Sequence, residues 1–213
     1  MFTKKKKEYV VKEDQLLQIT PRAFIDLLCH AWRFNSLDRP LNENESVYGF
    51  LKGEIKENTR IVKEVETIKH HPTPDFEFDE KFMKDMDDFN ARYREEQIMD
   101  KIFGWYKSTV QEITFKAIDV KNQLKFQSLN DKYIGLIINP LVFLKDEGYG
   151  FSVFSLLEDS VGKINIMSGA GKIPWEIAPL GDDPGSTIRH IKNFIDKSIN
   201  KKKFVTELSE AWE

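Results

Sequence analysis

Histidines and carboxylates crowd one short stretch of this chain, where His70, His71, Asp75 and Glu77 could together gather a divalent ion. The spacing argues against it. Adjacent residues on a strand point to opposite faces, and Pro72 and Pro74 turn the chain straight after the two histidines, so an ordinary surface turn fits better. Phosphate chemistry has a weaker claim. Gly169-Ala170-Gly171-Lys172 is followed by Ile173, whereas a phosphate loop needs a Ser or Thr after its lysine and more glycine before it. His30 and His190 fall in helical patterns with no acidic or histidine partner four residues further on, and none of the four histidines lies near a nucleophile-elbow sequence. The remaining stretch of interest is Gly104-Trp105-Tyr106-Lys107-Ser108-Thr109, which ends an apolar run with two alternate polar residues. Lys107 and Thr109 share one face of that strand.

Composition bounds what surrounds these residues. The 213 residues are 40% hydrophobic and include 16 Phe, ample for a buried core, while 31% are charged, which suits a well-solvated surface. A net charge of -3 gives no global field for nucleic acid. The clusters Lys4 to Lys7 and Lys201 to Lys203 read as solvated ends in preference to anion-binding patches. A single cysteine, Cys29, excludes an intramolecular disulfide and a cysteine-based zinc cluster, and its place in a helical pattern suggests a buried thiol. There is no apolar run of membrane-spanning length, and the charged start lacks the apolar core of a signal peptide, so a cytoplasmic protein is expected.

The elements follow from periodicity and punctuation. Thr20 then Pro21 predicts a helix start, with Phe24, Leu28, Ala31 and Trp32 at helical spacing behind it. Ser46 to Gly53 and Arg60 to Ile68 predict two strands. Asp79 predicts the cap of a long helix carrying Phe82, Met86, Phe89 and Tyr93. Ile102 to Tyr106 is the next strand, and Asp119 reads as the cap of a helix running to Leu129. Tyr133 to Asn139 is apolar throughout, which implies a strand covered on both faces. Pro140 ends it and Gly150 to Leu156 follows. Val161 to Met167 and Ile173 to Ile177 suggest further strands. Ile188, Ile191, Ile195 and Ile199 mark a late helix, and Leu208 with Trp212 a last short one. Strands alternating with helices predict an α/β or α+β three-layer sandwich.

With those elements in order, the chain resembles the MPN family, the JAMM-type zinc isopeptidases. In that family the strand reads Gly-Trp-Tyr-His-Ser-His; here it is Gly104-Trp105-Tyr106-Lys107-Ser108-Thr109. The family's leucine-rich strand corresponds to Ser46-Val47-Tyr48-Gly49-Phe50-Leu51-Lys52-Gly53, and its Asn/Asp-Pro to Asn139-Pro140. The resemblance implies a three-layer α-β-α MPN domain with a mixed central sheet, similar to the cytidine deaminases, over residues 19–168. A loose basic arm (1–18) and a helical C-terminal extension (169–213) would flank it. It also implies where chemistry should be. Ser46 stands at the position of the general-base Glu, Lys107 and Thr109 at the two zinc-binding histidines, and Lys116 at the family Ser. Asp119 matches the third ligand after a one-residue deletion. Glu45 lies one place off, on the opposite face.

The expectation is therefore a protein without metal or cofactor and without catalysis, similar to the metal-free MPN subunits of the proteasome lid, the signalosome and deubiquitinase complexes. The resemblance implies pairing with another MPN protein, such as an active isopeptidase, in a ubiquitin-like system. One alternative is an isopeptidase with a rearranged site using Glu45, His70 or His71. Another is a translation-initiation-type scaffold, or an RNA contact through the lysine clusters, whose binding would depend strongly on salt. Lys107 either pairs with Asp119 or reaches solvent. The apolar faces of Phe24, Leu28 and Trp32, and of Ile188, Ile191 and Ile195, serve either as core or as partner contact.

Overall fold

A computed structural model of the protein describes residues 10–11, 14–35, 40, 43–73, 75–144, 149–157 and 170–178. Their strands are β1 (Val10–Val11), β2 (Leu16–Ile19), β3 (Ser46–Lys56), β4 (Thr59–His71), β5 (Lys101–Ser108), β6 (Ile134–Ile138), β7 (Phe151–Leu156), β8 (Ala170–Ile173) and β9 (Trp175–Ile177). Their helices are α1 (Pro21–Phe34), α2 (Glu80–Glu95), α3 (Ala117–Gln127) and α4 (Pro140–Leu144). All the strands join one mixed sheet in the order β1-β8-β7-β6-β5-β3-β4-β2-β9. Only Pro174 separates β8 from β9, yet β8 is next to one edge and β9 forms the other. The sheet therefore curls until its edges approach each other, which leaves little free edge for pairing with other chains. Pro174 has no N–H to give, and its carbonyl accepts from the Leu17 N–H at 2.9 Å.

The sheet separates two layers of helix. On one side α1 packs with Leu17, Val47, Phe103, Leu136 and Phe151 into an apolar core; on the other α2 and α3 pack on Phe50, Ile102, Trp105 and Ile137. One irregularity sets the facing of β5. Leu51 pairs with Gly104 but Lys52 with Ile102, so Phe103 is an extra residue. That bulge reverses the alternation and turns Trp105 to the same side as Ile102. Lys107, two residues on, shares that facing.

Local chemistry places the helices. Thr20 caps α1 by accepting from the Ala23 N–H at 3.3 Å, and Pro21 fills the first turn. Asp79 caps α2 by accepting from the Phe82 N–H at 2.8 Å. The third helix departs from expectation. Its cap position is Lys116, and Asp119 is the third helical residue, reaching back to the cap's backbone. Pro140 ends β6 as expected and also opens α4.

Phe24, Leu28 and Trp32 are 1%, 0% and 5% exposed, so within this chain they are core and not an open docking face. The curled sheet covers more of α1 than a single stripe: Phe24 meets the edge of the Phe143 ring, and the Trp32 indole donates to the Pro140 carbonyl at 3.2 Å. β1, β8, β9 and the first three residues of β2 fall outside residues 19–168 and join the same sheet as the strands within them. The strand expected at Val161 to Met167, the helix carrying Ile188, Ile191, Ile195 and Ile199, and the short helix at Leu208 and Trp212 lie outside the described residues. No helix among the described residues is long and apolar enough to cross a membrane.

Candidate functional site

The site forms where the C-terminal end of β5 meets the first turn of α3. Lys107 sits between Tyr48 of β3 and Ile137 of β6, so its side chain leaves a central strand and has no short route to water. It ends on Asp119. The Lys107 ammonium and Asp119 Oδ1 form an ion pair with both side chains almost sealed, at 2% and 1% exposure. Lysines are almost never this buried unless paired. The other carboxylate oxygen, Oδ2, accepts the Lys116 N–H at 2.8 Å. Asp119 also lies in the first turn of a helix, where a negative charge is favoured by the unpaired N–H groups.

Burial works against both charges. It pulls the Lys107 pKa below its ordinary value and pushes the Asp119 pKa above its own, and each partner's charge offsets part of the other's shift. Neighbouring charges are already engaged. Lys116 reaches Asp75 at 3.7 Å, and Glu77 contacts Lys121 at 3.4 Å and Lys125 at 3.2 Å.

The other family positions have structural work. Thr109 donates its N–H to the Ile138 carbonyl at 2.8 Å, while its hydroxyl accepts from the Gln111 N–H at 3.1 Å, shaping the turn after β5. Ser46 is buried and pairs in register with His71 across β3 and β4. The Asn139 amide donates to the Gln111 carbonyl at 2.9 Å, and its oxygen accepts from the Leu141 N–H at 3.0 Å. The Asn-Pro pair thus starts α4 and ties down the loop beyond Thr109.

The Gly-Trp-Tyr run is explained by packing. A Cβ at Gly104 would lie 2.7 Å from the Ile134 carbonyl oxygen, so β6 leaves no room for one. The Trp105 indole donates to Gln123 Oε1 at 2.8 Å, and the Tyr106 hydroxyl hydrogen-bonds His30 Nδ1 at 2.7 Å on the opposite face. Sequence reasoning missed the residues of α3 that support the site. Asn122, Gln123 and Gln127 are buried, and Asn122 holds the chain before α2 by accepting from the Phe78 N–H and donating to the Phe76 carbonyl, both at 2.9 Å. Their signal was negative: three amides on one helix, with no apolar stripe to match.

The family's zinc can be tested against these donors. Zinc takes neutral imidazole, thiolate or carboxylate, with one position left open for water in catalytic sites. Here one seat holds an ammonium, another a hydroxyl already accepting from Gln111, and the carboxylate has both oxygens occupied. This set does not fit the ion. The residues of the rearranged alternative have partners of their own. Glu45 pairs with His70, whose ring stacks on Phe34 with centroids 4.3 Å apart, and His71 Nδ1 accepts from the Thr73 N–H at 3.2 Å. Among the described residues no group of three or more His, Cys, Asp or Glu could hold a metal.

Comparison with known proteins agrees on the class. The family described as JAB1/Mov34/MPN/PAD-1 ubiquitin protease matches residues 13–132. The chain belongs to this family. No curated protein sequence matches it. Among solved structures, protein DSY2949 from Desulfitobacterium hafniense is similar at 14% identity, covering 76% of this chain and 92% of that one, with a TM-score of 0.47.

Proposed function

We propose that this protein is a non-catalytic MPN subunit that binds another MPN-domain protein and supports it in a cytoplasmic, ubiquitin-like or proteasome-type assembly. The observation that carries this reading is the buried Lys107–Asp119 pair, which fills the metal's place with a charge of the same sign and leaves no donor for a zinc-bound water. Isopeptide hydrolysis in the family's manner also needs a general base, and Ser46 has no acidic proton acceptor to offer at neutral pH. What persists is the frame: the Gly-Trp-Tyr strand, the Asn-Pro turn and two packed helix layers.

The contact face falls to the late helix expected to carry Ile188, Ile191 and Ile195, because the α1 face is consumed inside the chain. Co-expression with MPN proteins of the same organism, followed by cleavage assays on ubiquitin-like conjugates, tests the reading. A stable heterodimer in which activity depends only on the partner's intact metal site is expected. Cleavage by this chain alone, lost in a His71→Ala variant, would support the rearranged enzyme instead.

A further inference from the structure

We propose that Lys107 is a built-in replacement for the family's metal, an internal cation that cross-links the end of β5 to the first turn of α3. This deepens the metal-free reading above and rests on it. A zinc ion bridging these two elements would do two things besides chemistry: it would neutralise the buried carboxylate and join strand to helix. Lys107 performs both from within the chain.

Three observations point the same way. The ammonium comes from the central strand of the sheet and the carboxylate from a helix, so the contact adds a charged link between two elements already joined by the Trp105–Gln123 hydrogen bond. Asp119 cannot swing away, because its second oxygen holds the Lys116 N–H and its helix is anchored by Trp105 and Gln123. Lys107 is enclosed by Tyr48 and Ile137 on the neighbouring strands, a position from which an unpaired lysine would be expelled. Removing the carboxylate takes from the buried ammonium the charge that offsets its burial, and removing the lysine leaves a buried carboxylate.

The test is a double-mutant cycle read by thermal unfolding in the presence of EDTA, using Lys107→Met, Asp119→Leu and the double variant. Each single variant should lower Tm by about 10 °C. The double variant should recover most of that loss, since both buried charges are gone. Losses that simply add would overturn the proposal. A single variant that fails to fold beside a folded double variant counts as coupling; a double variant that fails beside folded singles counts against it.

A second measurement uses the unaltered protein. Nitrogen-15 spectra should contain one lysine ammonium signal that exchanges slowly with water and disappears in Lys107→Met. If every lysine ammonium exchanges as in a free side chain, the proposal is wrong. These results are separable from the functional reading. Additive losses would remove the cross-link while leaving a non-catalytic subunit, and conjugate cleavage by the purified chain would remove the subunit reading while leaving the cross-link.

Discussion

The two faces of the central sheet solve the same problem with different materials. On the α1 face, strands and helix meet through Phe24, Leu28, Phe103, Leu136 and Phe151, and the polar contact between His30 and Tyr106 is buried and neutral. On the α3 face, the interface holds an ion pair and a set of amides: Gln123 takes the Trp105 indole, donates to Gln127 at 2.8 Å and donates to the Tyr133 carbonyl at 2.7 Å. An apolar interface tolerates small shifts, because its attraction has no direction. A buried polar one fixes relative position, since each donor lost there leaves a partner unpaired. The positions that carry the family's chemistry belong to the second face, where this chain places a Lys107–Asp119 ion pair.

The contrast can be broken most severely on the apolar side. Phe24→Ala should cost about 4 kcal/mol through the cavity it leaves, and Phe24→Leu much less, as measured by urea unfolding. Equal costs for the two substitutions would mean that α1 is not packed as described. On the polar side, Gln123→Leu should cost about 2 kcal/mol, because it strands the Trp105 N–H and the Tyr133 carbonyl. Combining it with Trp105→Phe should cost less than the sum of the two changes. Simple addition would show that the indole and the amide do not share a bond.

The third prediction sharpens the comparison through pH. Burial holds His30 neutral, with its pKa lowered from 6.5 to about 3 and nearby Arg33 and His70 adding to the shift. Between those values the unfolded chain takes up a proton that the folded chain refuses. Stability from this residue is therefore complete above pH 6.5 and falls by about 1.4 kcal/mol per pH unit as the solution is acidified toward pH 3. His30→Gln should flatten that part of the stability profile. An unchanged acid slope would mean that His30 is protonated in the folded protein or already reached by water.

How much of this was legible in the sequence follows the same division. Apolar periodicity and end signals located α1 and α2: Thr20 before Pro21 and Asp79 before Phe82 are local rules that tertiary structure did not override. The strands β3 to β7 were visible as apolar or β-branched runs. What escaped was set by distant contacts. Leu16–Ile19 is a strand because it lies between β4 and β9, and the single strand expected at Ile173 to Ile177 is instead two, β8 and β9, because the curled sheet brings its ends together. Nor does periodicity reveal the Phe103 bulge that gives Lys107 its facing. Residue types at Lys107, Thr109 and Asp119 marked the site. Its supporting amides could not be found by looking for hydrophobic spacing, since polar burial replaces it there.

The most direct measurement is the zinc content of the unaltered protein after incubation with excess zinc and dialysis against metal-free buffer. Well below one ion per chain is expected, with a Tm that is the same with zinc as with EDTA. One tightly held zinc per chain, lost on Asp119→Asn, would place an ion where the Lys107 ammonium stands and would contradict a metal-free site.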